Sequence, residues 1–143
     1  MMQGKKIKGR KRHIIVDTLG FLIAATVHAA SIQDRVGARH VVRKARMKYE
    51  ELVKLWADGG YAGTLITWAK ETWNIDLEIV KRSDTVKGFV VLPKRWIVER
   101  TLAWLTRCRR LARDYERLTK TAETMIYLGM TRLMLTRIAR CYA

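Results

Sequence analysis

Two apolar runs near the start of the chain predict a β-hairpin. Residues 14–29 read IIVDTLGFLIAATVHA, with β-branched and aliphatic residues on both sides of Asp17-Thr18-Leu19-Gly20. Turn-forming residues between two such runs are typical of antiparallel strands that follow each other in the sequence.

The segment that follows the hairpin has the spacing of a helix up to about residue 49. Ser31 to Asp34 have the form of an N-terminal capping pair, which predicts that the helix begins there. The apolar positions then recur at helical spacing. They are Val36, Val41, Val42, Ala45 and Tyr49.

Short strands and a short helix are predicted in the middle of the chain. Residues 52–57 form an apolar run that ends at Asp58, and the glycines after it are typical of a loop. Residues 64–73 favour a helix. The alternation of residues 75–80 indicates a strand with one polar face, and residues 81–88 are a charged loop.

The last third of the chain is predicted to be helical. Pro93 precedes a long helical pattern, where proline is best tolerated, and this pattern continues to about Tyr115. A final helix is predicted over residues 122–139. Strands that alternate with helices favour an α/β fold, here a single domain over residues 1–143 with a basic N-terminal arm, residues 1–13.

The charge balance points to a polyanionic partner. The chain has 29 basic and 13 acidic residues, a net charge of +16, and about half of its residues are apolar, so it can fold. Nucleic acid is the usual partner of such a chain, and a basic ribosome-associated protein is the alternative. The two cysteines, Cys108 and Cys141, are expected to be reduced intracellular thiols.

Asp58 and Glu99 are the candidate metal ligands. Asp58 lies where a strand ends, the place where α/β sheets hold their functional groups, although a simple turn aspartate is the plainer interpretation. Glu99 is an acid on a basic helix face, four residues after Arg95, which also fits an ordinary surface ion pair. A carboxylate beside arginines suits a metal ligand bordered by phosphate-binding groups.

Three stretches carry a resemblance to a known family. KGRKRHIIVDTLG, WADGGYAG and LPKRWIVERTLAWL…CRRLARDYE together resemble the DDE transposases of bacterial insertion sequences, of the insertion sequence 5 group. The resemblance implies a ribonuclease H-like mixed sheet flanked by helices. It also implies cleavage and transfer of DNA strands at transposon ends, driven by three carboxylates and two Mg²⁺ (or Mn²⁺) ions.

The same resemblance implies roles for individual residues. Asp58 corresponds to the second catalytic aspartate, Glu99 to the catalytic glutamate, and Arg95 to an arginine of the signature helix. The tyrosine and lysine of that signature fall on Leu92 and Thr106, so Arg107 is the candidate for the missing charge.

The first catalytic aspartate of the family has no counterpart before the basic motif. Residues 1–7 contain no acid, and the turn context of Asp17 makes it a poor substitute. We therefore expect the sheet to lack its first, central strand, which leaves two half-sheets with unpaired inner edges. The expected partners are transposon-end and target DNA, an upstream transposase polypeptide or fused frame, and further copies of the complete, nucleoid-associated enzyme.

The residues expected to bind DNA lie in the N-terminal arm and on the long helix. They are Lys8, Arg10, Lys11, Arg12, Arg95, Arg107 and Arg110. The alternative function is a non-catalytic basic DNA-binding fragment that modulates a full-length transposase. The histidines are expected to be structural or at the surface, and Tyr61 either closes the loop over Asp58 or simply packs.

Overall fold

The computed structural model describes residues 9–80 and 94–142. Within these two ranges, four strands and four helices follow each other in the order β-β-α-β-α-β-α-α, which confirms the predicted α/β class. Their bounds are β1 Arg10–Val16, β2 Leu22–Ala29, α1 Asp34–Lys48, β3 Lys54–Ala57, α2 Thr64–Trp73, β4 Asp76–Ile79, α3 Arg95–Thr106 and α4 Thr119–Cys141. Two 3₁₀ helices lie at Gly59–Tyr61 and Arg109–Leu111.

The strands form two separate pairs within the described residues. β1 and β2 are antiparallel and begin with Arg10 opposite Ala29, whereas β3 and β4 are parallel, with Lys54 opposite Asp76. Asp17 closes the β1–β2 turn, because its Oδ1 accepts hydrogen bonds from the backbone N–H groups of Leu19 and Phe21, both at 2.9 Å. The turn role predicted for Asp17 is confirmed.

The β1–β2 sheet is covered by helices on both faces. One face packs on α1 through Ala24, Val41 and Ala45. The other face packs on α4 and on the end of α3, through Ala25, Val27, Leu105, Ile126 and Met130. A second core joins α1, α2 and β4. Helix α1 therefore packs both on the β1–β2 sheet and in this second core.

Side chains of α4 cover the outer edge of β2. The hydroxyl oxygen of Tyr127 accepts a hydrogen bond from Ala25 N at 3.0 Å, and Glu123 Oε1 accepts one from Val27 N at 2.9 Å. Lys44 donates to the carbonyl of Ala25 at 3.2 Å and pairs with Glu123. This edge therefore has partners for its backbone groups, as buried polar groups require.

Three predicted boundaries differ from the structure. The hairpin begins at Arg10 rather than at residue 14, so Arg10 to His13 of the predicted arm lie in a strand. The predicted Ser31 cap is wrong, because α1 begins after Gln33 and makes no side-chain capping bond there. Residues 81–88, Leu92 and Pro93 lie outside the described residues.

The long helix also ends earlier than predicted, at Thr106 instead of about Tyr115. The chain turns at Cys108 so that Leu111 packs against Gly129 of α4, where an added Cβ would lie only 2.8 Å from Leu111 Cδ1. Leu105 and Leu111 are buried, whereas Ile97 and Trp104 are only half-buried. None of the helices in the described residues combines the length and the apolar character needed to cross a membrane.

Candidate functional site

A polar cleft lies at the carboxyl end of β3. Its volume is about 580 Å³, and it brings residues of β1 together with the loop after β3 and the start of α3. The residues that line it are Lys11, Arg12, His13, Asp34, Asp58, Gly59, Gly60, Tyr61 and Arg95. Three of the cations predicted to bind DNA therefore lie around Asp58.

Asp58 is held at the mouth of the cleft by its own loop. It has an extended backbone and caps the 3₁₀ helix Gly59–Tyr61, with its Oδ1 accepting a hydrogen bond from Gly60 N at 2.9 Å. Its side chain is exposed. Asp58 can therefore be both a turn aspartate and a metal ligand. Its Oδ1 caps the short helix, and Oδ2 can bind another partner.

An apolar groove of about 590 Å³ adjoins the cleft and separates the two sheets. Its walls come from β1, α1, β3 and α3, and it shares Arg12, His13, Asp58, Tyr61 and Arg95 with the cleft. Glu99 and Asp17 also line the groove. Asp58 and Glu99, distant in the sequence, thus face one space.

Glu99 forms an ion pair on the surface of α3. Its Oε1 accepts a hydrogen bond from Arg95 Nε at 3.1 Å, and the two side chains are 63% and 50% exposed. An exposed pair of this spacing contributes only about 0.3–0.5 kcal/mol to stability. Because the pair holds so weakly, Glu99 can exchange Arg95 for another partner at little cost.

The described residues contain no group of three or more histidine, cysteine, aspartate or glutamate side chains placed to hold a metal ion. Asp17 lines the groove, but one of its oxygens serves the hairpin turn. Asp34 lines the polar cleft but pairs with Lys11 at 2.9 Å. Among the described residues, Asp58 and Glu99 are the two exposed carboxylates that line the groove.

Tyr61 connects the loop after β3 to strand β1 within the cleft. Its hydroxyl oxygen lies 2.8 Å from Nδ1 of His13 on β1, and the two rings meet edge to face with centroids 5.8 Å apart. His13 in turn stacks on His28 of β2, with ring centroids 4.6 Å apart and planes inclined by 22°. The loop that carries Asp58 is thereby attached to β1.

Burial shifts the acid–base properties of this pair. The pKa of His13 is lowered from 6.5, mainly because burial disfavours the charged imidazolium and also because His28 is close. Burial, with a smaller contribution from Asp58, raises the pKa of Tyr61 to about 12. Near neutral pH the Tyr61 side chain is therefore a neutral hydrogen-bond donor and acceptor.

The basic residues predicted to bind DNA are only partly brought together. Arg10 bonds to Asp114 and to the carbonyl of Arg117, and Arg110 bonds to Glu116 at 2.6 Å, which raises the pKa of Arg110. Arg107 is exposed just after α3 and does not line the cleft. Lys8 lies outside the described residues.

Sequence reasoning missed the hydrogen bond between His13 and Tyr61. It assigned His13 to the basic arm, whereas the side chain is only 4% exposed. The available signal was the period of two along β1, which puts His13 on the same face as Ile15, the face that packs on α1.

Comparison with known proteins gives one family. Residues 2–134 match the transposase DDE domain. Over 135 residues the chain is 31% identical to a predicted transposase for insertion sequence element IS402 of Burkholderia cepacia, an alignment that covers 85% of this chain and 60% of that protein. The chain therefore spans less than two thirds of the relative's length. No solved structure is significantly similar to it.

Proposed function

The chain belongs to the transposase DDE domain family, and on this basis we propose that it is the catalytic-core portion of a DNA transposase. The proposed reaction is metal-dependent cleavage and transfer of DNA strands at the ends of an insertion sequence. The observation that carries the proposal is that Asp58, after β3, and Glu99, on α3, line the same groove.

Asp58 and Glu99 are the residues we propose as ligands for divalent ions, Mg²⁺ or Mn²⁺, with two ions in the complete enzyme. Within the described residues Asp58 accepts one hydrogen bond, from the backbone N–H of Gly60, and Glu99 accepts one from Arg95 Nε, so oxygen lone pairs remain for an ion. Oxygen ligands suit Mg²⁺, which keeps several of its waters and needs few groups from the protein. When bound, such a pair of ions activates the attacking water or 3′-hydroxyl and stabilises the leaving oxygen.

The cations around the cleft would hold the DNA backbone next to these carboxylates. Arg95 uses its Nε to bond Glu99, and the rest of its guanidinium group can face a phosphate, because arginine has five N–H donors. Arg12 reaches the carbonyl of Leu111 at 3.0 Å and also lines the cleft. Contacts of this kind give affinity for DNA rather than sequence selectivity.

We further propose that an additional strand enters the apolar groove and completes a ribonuclease H-like sheet. Within the described residues β1 pairs only with β2, and β3 only with β4, while the groove lies between β1 and β3. The outer edge of β2 is already covered by Glu123 and Tyr127, which leaves the groove side as the place where the β1–β2 sheet can accept a strand. The proposed source is an upstream transposase polypeptide or a fused frame, whose strand would carry the third carboxylate towards Asp58.

Strand cleavage is the measurement that tests this function. The 143-residue chain would be assayed alone, mixed with the upstream polypeptide and as the fused protein, on transposon-end DNA with Mg²⁺ or Mn²⁺. We expect cleavage by the completed protein that is lost in Asp58→Ala and in Glu99→Ala. Asp76→Ala is the matched control, since Asp76 is an exposed strand acid that does not line the groove, although its partner Lys54 does.

Two outcomes would contradict parts of the proposal. Robust cleavage by the chain alone would mean that a third ligand lies within these residues, with Asp17 the first to test, and that no added strand is needed. DNA binding without cleavage in any combination would favour the alternative, a non-catalytic fragment that modulates a full-length transposase.

A further inference from the structure

The Tyr61 hydroxyl occupies a specific place in the candidate site. It belongs to the 3₁₀ helix that Asp58 caps, and it lines both the polar cleft and the apolar groove. Its ring is half-buried, and its oxygen lies 2.8 Å from His13 Nδ1. This oxygen is therefore fixed in position beside Asp58 by a residue of the other sheet.

His13 can fix the oxygen because its own ring is buried and closely packed. The ring stacks on His28, whose Nδ1 donates to the carbonyl of Ala29 at 2.9 Å. Both rings point their Nε2 atoms at Gly37 of α1, where an added Cβ would lie 1.9 Å from His28 Nε2 and 2.7 Å from His13 Nε2. The two rings therefore pack closely against α1 at a position that has no room for a side chain.

The surroundings of His13 also decide which nitrogen carries the proton. Nε2 of His13 is buried and has no hydrogen-bond partner among the described residues. A proton on Nε2 would leave a buried N–H group unpaired, which is costlier than an unpaired acceptor lone pair. The favoured tautomer has its proton on Nδ1, so His13 donates to Tyr61 and the hydroxyl proton of Tyr61 is directed elsewhere.

We propose that Tyr61 donates this hydroxyl proton in a hydrogen bond to a phosphate oxygen of DNA bound in the polar cleft, and that His13 is the positioning residue for it. The proposal rests on the proposed function, because it assumes that DNA is the polyanion that occupies the cleft. It adds a neutral phosphate contact, made by a residue that neither coordinates metal nor changes charge.

The chemistry of the cleft selects an anionic acceptor. Lys11, Arg12 and Arg95 line it beside two carboxylates, Asp34 and Asp58, and Lys11 is paired with Asp34 at 2.9 Å. The three cations outnumber the two acids, so the lining has a net positive charge that attracts a phosphodiester. With a pKa of about 12, the Tyr61 hydroxyl keeps its proton when DNA binds near neutral pH. Hydrogen bonds to a charged acceptor are stronger than neutral ones, so this single donor is expected to change affinity measurably.

Affinity for random-sequence duplex DNA at several salt concentrations, measured without divalent metal, tests the contact. We expect Tyr61→Phe to weaken binding by about tenfold while the dependence on salt stays unchanged, because no charge is lost. Arg12→Ala is the contrasting variant, since removal of a cation should also reduce the salt slope by about one. Unchanged affinity in Tyr61→Phe, a reduced slope, or a wild-type chain that does not bind duplex DNA would overturn the proposal.

Substitutions of His13 test its positioning role. His13→Asn keeps an N–H donor near the place of Nδ1 and should retain most of the affinity, whereas His13→Leu should weaken binding about as much as Tyr61→Phe. The double variant Tyr61→Phe with His13→Leu should bind no more weakly than either alone, because both remove the same contact. Additive losses would contradict the coupling.

The position of the proton can be measured without any activity. The ¹⁵N chemical shifts of His13 distinguish a protonated Nδ1 from a protonated Nε2, and we expect the proton on Nδ1. A proton on Nε2 would overturn the proposal even if His13→Leu does not fold. Loss of cleavage in Asp58→Ala together with normal DNA affinity in Tyr61→Phe would reject this inference and leave the proposed function intact.

Discussion

Thr101 donates its hydroxyl proton to the carbonyl oxygen of Gly20 over 2.6 Å, and this bond fixes α3 to the turn between β1 and β2. Thr101 is completely buried, and Gly20 has a positive φ of 89°. A Cβ at Gly20 would lie 2.9 Å from Thr101 Oγ1, so the close approach requires glycine there. Because Glu99 lies two residues before Thr101, the bond sets where Glu99 lies relative to β1.

Thr101→Val is expected to lower the free energy of unfolding by about 1–3 kcal/mol, since the carbonyl of Gly20 would lose a buried partner. Urea unfolding measures the change. Thr124→Val is the matched control, because Thr124 is exposed and bonds only to the carbonyl of Lys120 in its own helix. Equal losses in the two variants would show that the Gly20 bond is not important.

Gly37→Ala gives a test in which two effects have opposite signs. Helix propensity alone predicts a gain of about 1 kcal/mol in stability. The new Cβ would instead lie 1.9 Å from His28 Nε2, and overpacking of that kind costs about 1–3 kcal/mol. We expect a net loss in thermal or urea unfolding. Gly59→Ala, where a Cβ meets nothing within 4 Å, should show no such loss.

The buried His13 predicts that stability depends on pH. Its pKa is lower in the folded chain than the ordinary 6.5, so below 6.5 the unfolded chain takes up a proton before the folded chain does. The contribution of His13 to stability is therefore complete above pH 6.5 and is lost as the pH falls through the lowered value. Urea unfolding between pH 4 and 8 should show a decline that is smaller in His13→Gln and unchanged in His40→Gln, since His40 is exposed.

The dependence of DNA binding on salt should identify which exposed arginines contact DNA. Arg107 forms no ion pair within the described residues, whereas Arg110 is paired with Glu116. We expect Arg107→Ala to reduce the salt slope by about one and Arg110→Ala to reduce it less, because Glu116 already compensates that charge. Titration of random duplex DNA measures both slopes. A larger change for Arg110→Ala would contradict the expected order.

Local sequence signals predicted much of the fold. The pattern of residues 64–73 gave the bounds of α2, and the run before Asp58 correctly indicated a strand that ends there. Asp17 was identified as a turn residue from its neighbours. In each case the decisive interactions lie within a few residues of each other, so a short window of sequence contains them.

The remaining features depend on contacts between distant segments. The pattern of α3 continues past Thr106, but the helix ends there because Leu111 packs on Gly129 of α4. Arg10 bonds to Asp114, more than 100 positions away in the sequence. No rule of spacing predicts which partner a surface arginine or a buried histidine meets once the helices pack.

The coverage of β2 by Glu123 and Tyr127 has a consequence for assembly. A two-stranded sheet with both edges free could join further copies at each side and propagate as a polymer. Here one side of the β1–β2 sheet has its backbone groups satisfied within the chain, and only the groove side remains for pairing. The β1–β2 sheet can therefore accept a further strand on one side only, so by itself it cannot extend in both directions as a fibre does.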